Sequence, residues 1–101
     1  MAYEDFGAYP GQESVVDFYN TTGTLSGSAN ILPFERGAGR VYIQIIGGNG
    51  AYMTFYGTAS SSHYEIPPGG VFVYQGRPVR GVSLLGKGPG PNYSTYSVHA
   101  N

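Results

Sequence analysis

Residues 40–57 read RVYIQIIGGNGAYMTFYG and contain the clearest strand pattern of the chain. Every second residue from position 41 to position 45 is Val or Ile, and the residues between them are mixed, as expected for a strand with one face in a core. Four residues, 47–50, then form a glycine-rich turn whose Asn-Gly pair can take the positive backbone angles of a tight reversal. The alternation resumes after this turn. We therefore predict a β-hairpin made of residues 40–46 and 51–57.

Shorter runs of aromatic and β-branched residues lie on both sides of this stretch and return about every eight to ten positions. Glycine and proline residues separate the runs and predict turns between them. The other predicted strands are residues 14–19, 29–34, 63–66, 71–75, 79–85 and 92–99. This spacing predicts an all-β fold, a single antiparallel β-sandwich that is jelly-roll-like. The sandwich domain covers residues 13–101, and residues 1–12 form an extended N-terminal arm.

The composition argues against helical and disordered proteins. Seventeen glycines and seven prolines among 101 residues are too many for a mostly helical fold, because glycine costs about 1 kcal/mol and proline about 3 kcal/mol in a helix interior. Ten tyrosines and five phenylalanines are too many for a disordered chain. The length fits one domain that buries about two-thirds of its surface on folding.

The charges are few and unevenly distributed. Residues 1–35 contain five acidic residues and no basic one, whereas residues 36–101 contain five basic residues and one acidic residue, Glu65. The acidic segment either folds back onto its own basic remainder or reaches a neighbouring subunit, where opposite charges favour association. The basic residues form no run, so we expect no nucleic-acid partner. No stretch is apolar for long enough to span a membrane, so we expect no membrane partner.

The first twelve residues carry aromatic side chains at every third position. Tyr3, Phe6 and Tyr9 precede a Pro-Gly pair, and Gly7 and Pro10 disfavour a helix. We therefore expect an arm whose aromatic side chains dock on a surface. That surface is either the chain's own domain or a neighbouring subunit or larger scaffold, since a docked aromatic arm connects chains at little cost.

Two stretches resemble chemical motifs, and neither meets the requirements of its motif. Residues 81–88 have the glycine and lysine spacing of a phosphate-binding loop, but Gly88 lacks the hydroxyl that binds Mg²⁺, and the prolines after it prevent a helix. His63 and Glu65 lie two residues apart and supply only two possible metal ligands. We therefore predict a non-enzymatic protein with no catalytic residue, no cofactor and no metal site.

The ten tyrosines favour a binding role. Tyrosine combines a large apolar face with a hydroxyl group and few rotatable bonds, so it suits a surface that is soluble before it meets its partner. The same rings can stack on sugars, which leaves carbohydrate binding as an alternative.

A stretch in the second half of the chain resembles a known group of proteins. Residues 64–73, YEIPPGGVFV, are followed by residues 77–84, RPVRGVSL. This pattern resembles the strand, Ile-Pro-Pro-Gly turn and strand of small β-sandwich structural proteins of tailed bacteriophages, including capsid decoration (cement) proteins and fibre-associated domains. The resemblance lies mainly within residues 40–85.

The resemblance implies a non-enzymatic virion protein that decorates or cements a bacteriophage capsid through protein–protein contacts. It implies the major capsid protein or another virion protein as partner, a homo-oligomer with a trimer favoured, and synthesis in the host cytoplasm. We expect the arm to be the docking element and basic side chains to add complementary charge. The predicted interface residues are Tyr3, Phe6, Tyr9, Arg77, Arg80 and Lys87. The alternative is a carbohydrate- or host-receptor-binding module of a phage tail or fibre.

Overall fold

The computed structural model describes residues 19–101, so the predicted arm and most of the predicted strand 14–19 lie outside the described residues. The described part contains six strands and no helix, and therefore no helix that could cross a membrane. The strands are β1 (Tyr19–Thr24), β2 (Asn30–Ile46), β3 (Ala51–Thr54), β4 (Tyr64–Ile66), β5 (Val71–Gly86) and β6 (Thr95–Ala100). The prediction of an all-β fold is confirmed.

All six strands belong to one antiparallel sheet in the order β1-β6-β2-β5-β3-β4. The sheet is open, with β1 and β4 at its two edges. The last strand, β6, lies between β1 and β2 and pairs with both over its whole length. The pairing among the described residues thus gives one continuous sheet.

The strands β2 and β5 are much longer than predicted, with 17 and 16 residues. β2 joins the predicted strands 29–34 and 40–46, and β5 joins the predicted strands 71–75 and 79–85. The prediction of turns between these segments is wrong, because their glycines and prolines lie where the register between β2 and β5 shifts. A bulge tolerates glycine and the missing N–H of proline, so the chain bends there without leaving the sheet. A Cβ at Gly37 would lie only 2.7 Å from the Cβ of Pro78 across this bend.

The bend folds the sheet onto itself. Thr54 at the end of β3 pairs with Ser83 of β5, yet the ring centroid of the next residue, Phe55, lies 4.8 Å from that of Tyr74. Tyr74 and Ser83 would be about 30 Å apart along a straight strand. β5 therefore turns back between these two residues.

The bend divides the sheet into two halves that face each other. The β6 half consists of β1, β6, residues 40–46 of β2 and residues 71–75 of β5. The β3 half consists of β3, β4, residues 30–33 of β2 and residues 81–86 of β5. Each long strand thus contributes to both halves, which fixes how the halves lie relative to each other.

One hydrophobic core lies between the two halves, and both contribute to a single cluster of buried side chains. The largest fully buried apolar side chains are Val41, Ile43, Ile45 and Val98 from the β6 half and Ile66, Val82 and Leu84 from the β3 half. The prediction that Val41, Ile43 and Ile45 form a core face is confirmed. Since each such side chain contributes about 1.5 to 3 kcal/mol on burial, the halves stabilise each other.

The predicted hairpin between residues 40–46 and 51–57 is wrong. β5 lies between β2 and β3 in the sheet, and the turn at residues 47–50 carries the chain from the β6 half to the β3 half. The buried hydroxyl of Ser94 holds this turn: it donates to the carbonyl of Gly47 at 2.6 Å and accepts from the N–H of Gly50 at 2.8 Å. A side chain in place of Gly48, whose φ is +65°, would overlap the backbone of Ser94. Contacts with a distant residue therefore decide the path of the turn.

Candidate interaction surface

The β6 half has an outer face that points away from the core. Alternate residues of each strand lie on it, because successive side chains of a strand point to opposite sides of the sheet. We define the outer face by its residues, which are Asn20, Thr22 and Thr24 of β1, Thr95, Ser97 and His99 of β6, Tyr42, Gln44 and Ile46 of β2, and Val71, Val73 and Gln75 of β5.

The part of the outer face on β2 and β5 is largely apolar. Tyr42, Ile46, Val71 and Val73 are 41%, 49%, 45% and 64% exposed, and we call these four residues the outer strip. Tyr42 and Val73 are directly opposite each other on the paired strands. Single exposed apolar residues are common on protein surfaces, but several on one sheet face mark a contact surface.

The part of the outer face on β1 and β6 is polar and consists mostly of hydroxyl side chains. The hydroxyl of Ser97 lies 3.2 Å from Nε2 of His99. The hydroxyl of Thr95 donates to the carbonyl of Ile46 at 3.3 Å. The outer face thus joins an apolar strip to a hydrogen-bonding surface, which is the composition of an interface that is soluble before it binds.

A groove of about 370 Å³ lies at one end of the outer face. Tyr42 meets the imidazole of His99 edge-on there, with ring centroids 6.0 Å apart. The residues that line the groove are Arg40, Val41, Tyr42, Val73, His99 and Asn101. The groove therefore combines an apolar part with the positive charge of Arg40.

The structure spreads the predicted basic interface residues along β5 and beyond its end. Arg77 lies near the bend and Arg80 further along, both exposed, and Arg80 lines a second groove of about 190 Å³. Lys87 forms a 2.7 Å ion pair with Glu65. The three cations therefore do not form one basic patch among residues 19–101, and their role at an interface stays a prediction. The predicted arm residues Tyr3, Phe6 and Tyr9 lie outside the described residues.

Two side chains among residues 19–101 have pKa values moved from their ordinary range. The hydrogen bond from Lys87 to Glu65, and then the charge of that carboxylate, raise the pKa of Lys87. Burial raises the pKa of the Tyr19 hydroxyl, and the phenol of Tyr96 adds to this effect. Because the Lys87 and Glu65 side chains are 39% and 42% exposed, solvent and salt screen their interaction.

The two stretches that resemble chemical motifs have other partners in the fold. Nδ1 of His63 accepts the backbone N–H of Ser60 at 2.9 Å, whereas Glu65 binds Lys87. No group of three or more His, Asp or Glu side chains in the described part of the chain could hold a metal ion. In residues 81–88, the backbone N–H groups of Gly86 and Lys87 donate to carbonyls elsewhere in the fold, so they do not form a phosphate cradle.

Sequence reasoning missed the outer strip as a candidate site. The alternation in residues 40–46 places Tyr42 and Ile46 on the mixed face of their strand. This pattern is the local sequence signal for these two residues of the strip. Nothing local shows that Val71 and Val73 lie beside them, because the pairing of β2 with β5 is long-range. The strip exists only in the folded sheet.

Comparisons with models of protein families, with curated proteins and with solved structures found no match. They therefore do not link the chain to structural proteins of bacteriophages. The family suggested by residues 64–84 stays an expectation.

Proposed function

We propose that this chain is a non-enzymatic assembly protein that binds another protein through its outer face. The outer strip carries the proposal, because four large side chains on one sheet face leave apolar area for a partner to bury. Such burial contributes about 25 cal/mol for each Å² removed from water. The strip lies on paired strands, so a partner does not have to order it first.

The size of the outer face indicates how the protein binds. Four strands about 4.8 Å apart and six residues of about 3.3 Å each give an area near 400 Å², roughly half of what one partner contributes to a standard interface. One copy alone would therefore bind weakly. Several linked copies on a repeating surface bind tightly, because each further contact forms within an already bound assembly.

The finer proposal is a structural protein of a tailed-phage virion, which decorates or cements the capsid. A capsid offers many identical sites, and this suits a small face that depends on multiple contacts. The resemblance of residues 64–84 to small phage proteins supports the same assignment, with the major capsid protein or another virion protein as partner and a trimer as the favoured oligomer. The finer proposal for the fold is a jelly-roll-like sandwich, supported by the two facing halves with one core.

The proposal is tested with virions purified from the source of the chain. We expect the protein to co-sediment with capsids, and Val73→Lys to weaken rebinding to particles that lack it by about tenfold or more, which corresponds to the loss of roughly 1.4 kcal/mol. The matched control is Tyr56→Lys, which changes a residue that is 75% exposed and lies outside the outer face.

Each part of the proposal has its own contrary result. If Val73→Lys rebinds as well as Tyr56→Lys, the outer face is not the binding surface. If the wild-type chain does not sediment with capsids at all, the virion assignment is wrong.

A second candidate function is carbohydrate binding on a phage tail or fibre. The groove favours it, because the Tyr42 ring lies there with the planar guanidinium of Arg40, and such groups bind sugar hydroxyls. A glycan array separates the two candidates. Saturable binding that free sugar inhibits and Tyr42→Ser abolishes would support this candidate, whereas capsid binding without glycan binding supports the first.

A further inference from the structure

The turn at residues 47–50 contains the one Asn-Gly pair of the chain, Asn49-Gly50. Asparagine followed by glycine is the pair most prone to spontaneous deamidation, because no side chain hinders the approach of the glycine nitrogen to the carboxamide. The fold requires glycine here, since φ of Gly50 is +102° and a Cβ would lie 2.8 Å from the carbonyl oxygen of Ile66. The turn therefore has to carry a chemically labile pair.

Deamidation of this pair has two steps. The backbone nitrogen of Gly50 loses its proton to solvent and attacks Cγ of Asn49. The new N–C bond forms as the bond to the side-chain nitrogen breaks, and that nitrogen takes a proton from solvent and leaves as ammonia. Water then opens the resulting succinimide at either carbonyl group and gives aspartate or isoaspartate. The reaction needs only water, a free Gly50 N–H and a carboxamide that can rotate towards it.

The N–H of Gly50 is held in the structure. It donates to the hydroxyl of Ser94 at 2.8 Å, and both residues are buried. That hydroxyl donates its own proton to the carbonyl of Gly47 at 2.6 Å, so it binds the Gly50 N–H as an acceptor. The carbonyl of Gly50 accepts the N–H of Lys87 at 3.0 Å. The peptide units on both sides of the Gly50 Cα are therefore fixed by residues from distant parts of the chain.

The side chain of Asn49 is held as well. Its Nδ2 donates to the carbonyl of Pro89 at 3.1 Å, and its Oδ1 accepts from Nδ2 of Asn92 at 3.0 Å. To react, the carboxamide must leave both partners and rotate towards the nitrogen of Gly50. Attack therefore requires the turn to open locally, and its rate follows the population of the open state.

We propose that Asn49 is a deamidation site that the closed turn keeps unreactive, and that its conversion loosens the junction between the two halves of the sheet. An aspartate here cannot donate to the carbonyl of Pro89 and places a negative charge beside that oxygen. Isoaspartate adds a carbon atom to the backbone and moves the Gly50 N–H away from Ser94. The proposal goes beyond the assembly function, because it concerns the chemical lifetime of the fold.

The test measures conversion of Asn49 in the full chain at mildly alkaline pH, by mass spectrometry of the peptide that contains this residue. Ser94→Ala removes the acceptor of the Gly50 N–H, and we expect conversion to be roughly fivefold to thirtyfold faster than in the wild type. Ser83→Ala is the matched control, because it removes another buried hydroxyl that accepts a backbone N–H, that of Ala59, outside the turn. Its conversion rate should equal that of the wild type.

A second variant decides the matter if circular dichroism shows that Ser94→Ala does not fold. Asn92→Ala changes an exposed residue and removes the donor to Oδ1 of Asn49. We expect this variant to fold and to convert about twofold faster or more than the wild type.

The results that would overturn the proposal are distinct. Conversion of the folded wild type as fast as that of the chain in urea would show that the turn does not protect Asn49, as would unchanged rates in both Ser94→Ala and Asn92→Ala. Equal acceleration by Ser94→Ala and Ser83→Ala would show that conversion follows unfolding of the whole domain. An unchanged urea midpoint after conversion would show that the junction is not loosened. No partner is present in this assay, so its failure and the failure of the assembly function are distinguishable.

Discussion

The two halves of the sheet share one core but differ on their outer faces. In the β3 half, Ser83 points outward and is nevertheless buried, because the segment after β3 lies over it and the N–H of Ala59 donates to its hydroxyl at 2.9 Å. In the β6 half, none of the described residues covers Val73 in this way, and it is 64% exposed. The chain thus covers the outer side of the β3 half at Ser83 but leaves its pairing partner Ile31 62% exposed, and it leaves all four residues of the outer strip exposed on the β6 half.

The largest effect is expected from a core residue shared by both halves. Ile43→Ala removes a fully buried side chain and should lower the free energy of unfolding by about 2 to 5 kcal/mol. Because the halves depend on one core, both should unfold in one transition when followed by urea denaturation with tyrosine fluorescence and circular dichroism. Two separate transitions would show that the halves are independent units.

A matched pair of substitutions compares the core side with the outer side of β5. Val82→Thr places a hydroxyl in the core and should cost about 2 kcal/mol, since no partner is provided for the new polar group. Val73→Thr makes the same change on the outer strip and should alter stability by less than about 0.5 kcal/mol. Urea midpoints of the two variants measure the difference. A large loss for Val73→Thr would mean that this side chain belongs to the core.

The segment after β3 that lies over Ser83 covers the outer side of the β3 half, and a substitution of Ser83 tests how this cover is held. Ser83→Ala leaves the buried N–H of Ala59 without its acceptor and should cost about 1 to 2 kcal/mol. Hydrogen exchange at Ala59 should become faster, because the segment over the β3 half is loosened. Ser61→Ala is the control, since Ser61 is exposed in the same segment. If both variants behave alike, the hydrogen bond does not hold the cover.

The smallest effect is expected for the ion pair between Lys87 and Glu65 at the β3 half. The folded state raises the pKa of Lys87, so the pair stabilises the protein at pH values below the ordinary pKa of lysine and is lost as pH rises through the raised value. The difference in stability between wild type and Lys87→Met should therefore be small at neutral pH and vanish at strongly alkaline pH. A difference that grows with pH would contradict the assignment.

Sequence patterns predict the features that depend on neighbouring residues. They do not predict the features that depend on contacts between residues far apart in the chain. The all-β class and the core face of Val41, Ile43 and Ile45 follow from a period of two, which is local. The same glycines and prolines that end strands also form bulges, so residues 29–46 look like two strands although they form one. The outer strip depends on the pairing of Tyr42 with Val73, 31 positions away, and no local pattern contains that pairing.

The position of β6 between β1 and β2 has a consequence for how the chain folds during synthesis. Tyr19 pairs with Ala100, so the first described strand has no neighbour in the sheet until the last described strand has been synthesised. Until then the 40–46 edge of β2 is also unpaired, which is a state prone to association with other nascent chains. Such distant pairing makes folding slow compared with that of proteins rich in local contacts. The sheet of the described residues is therefore completed only when β6 inserts between β1 and β2.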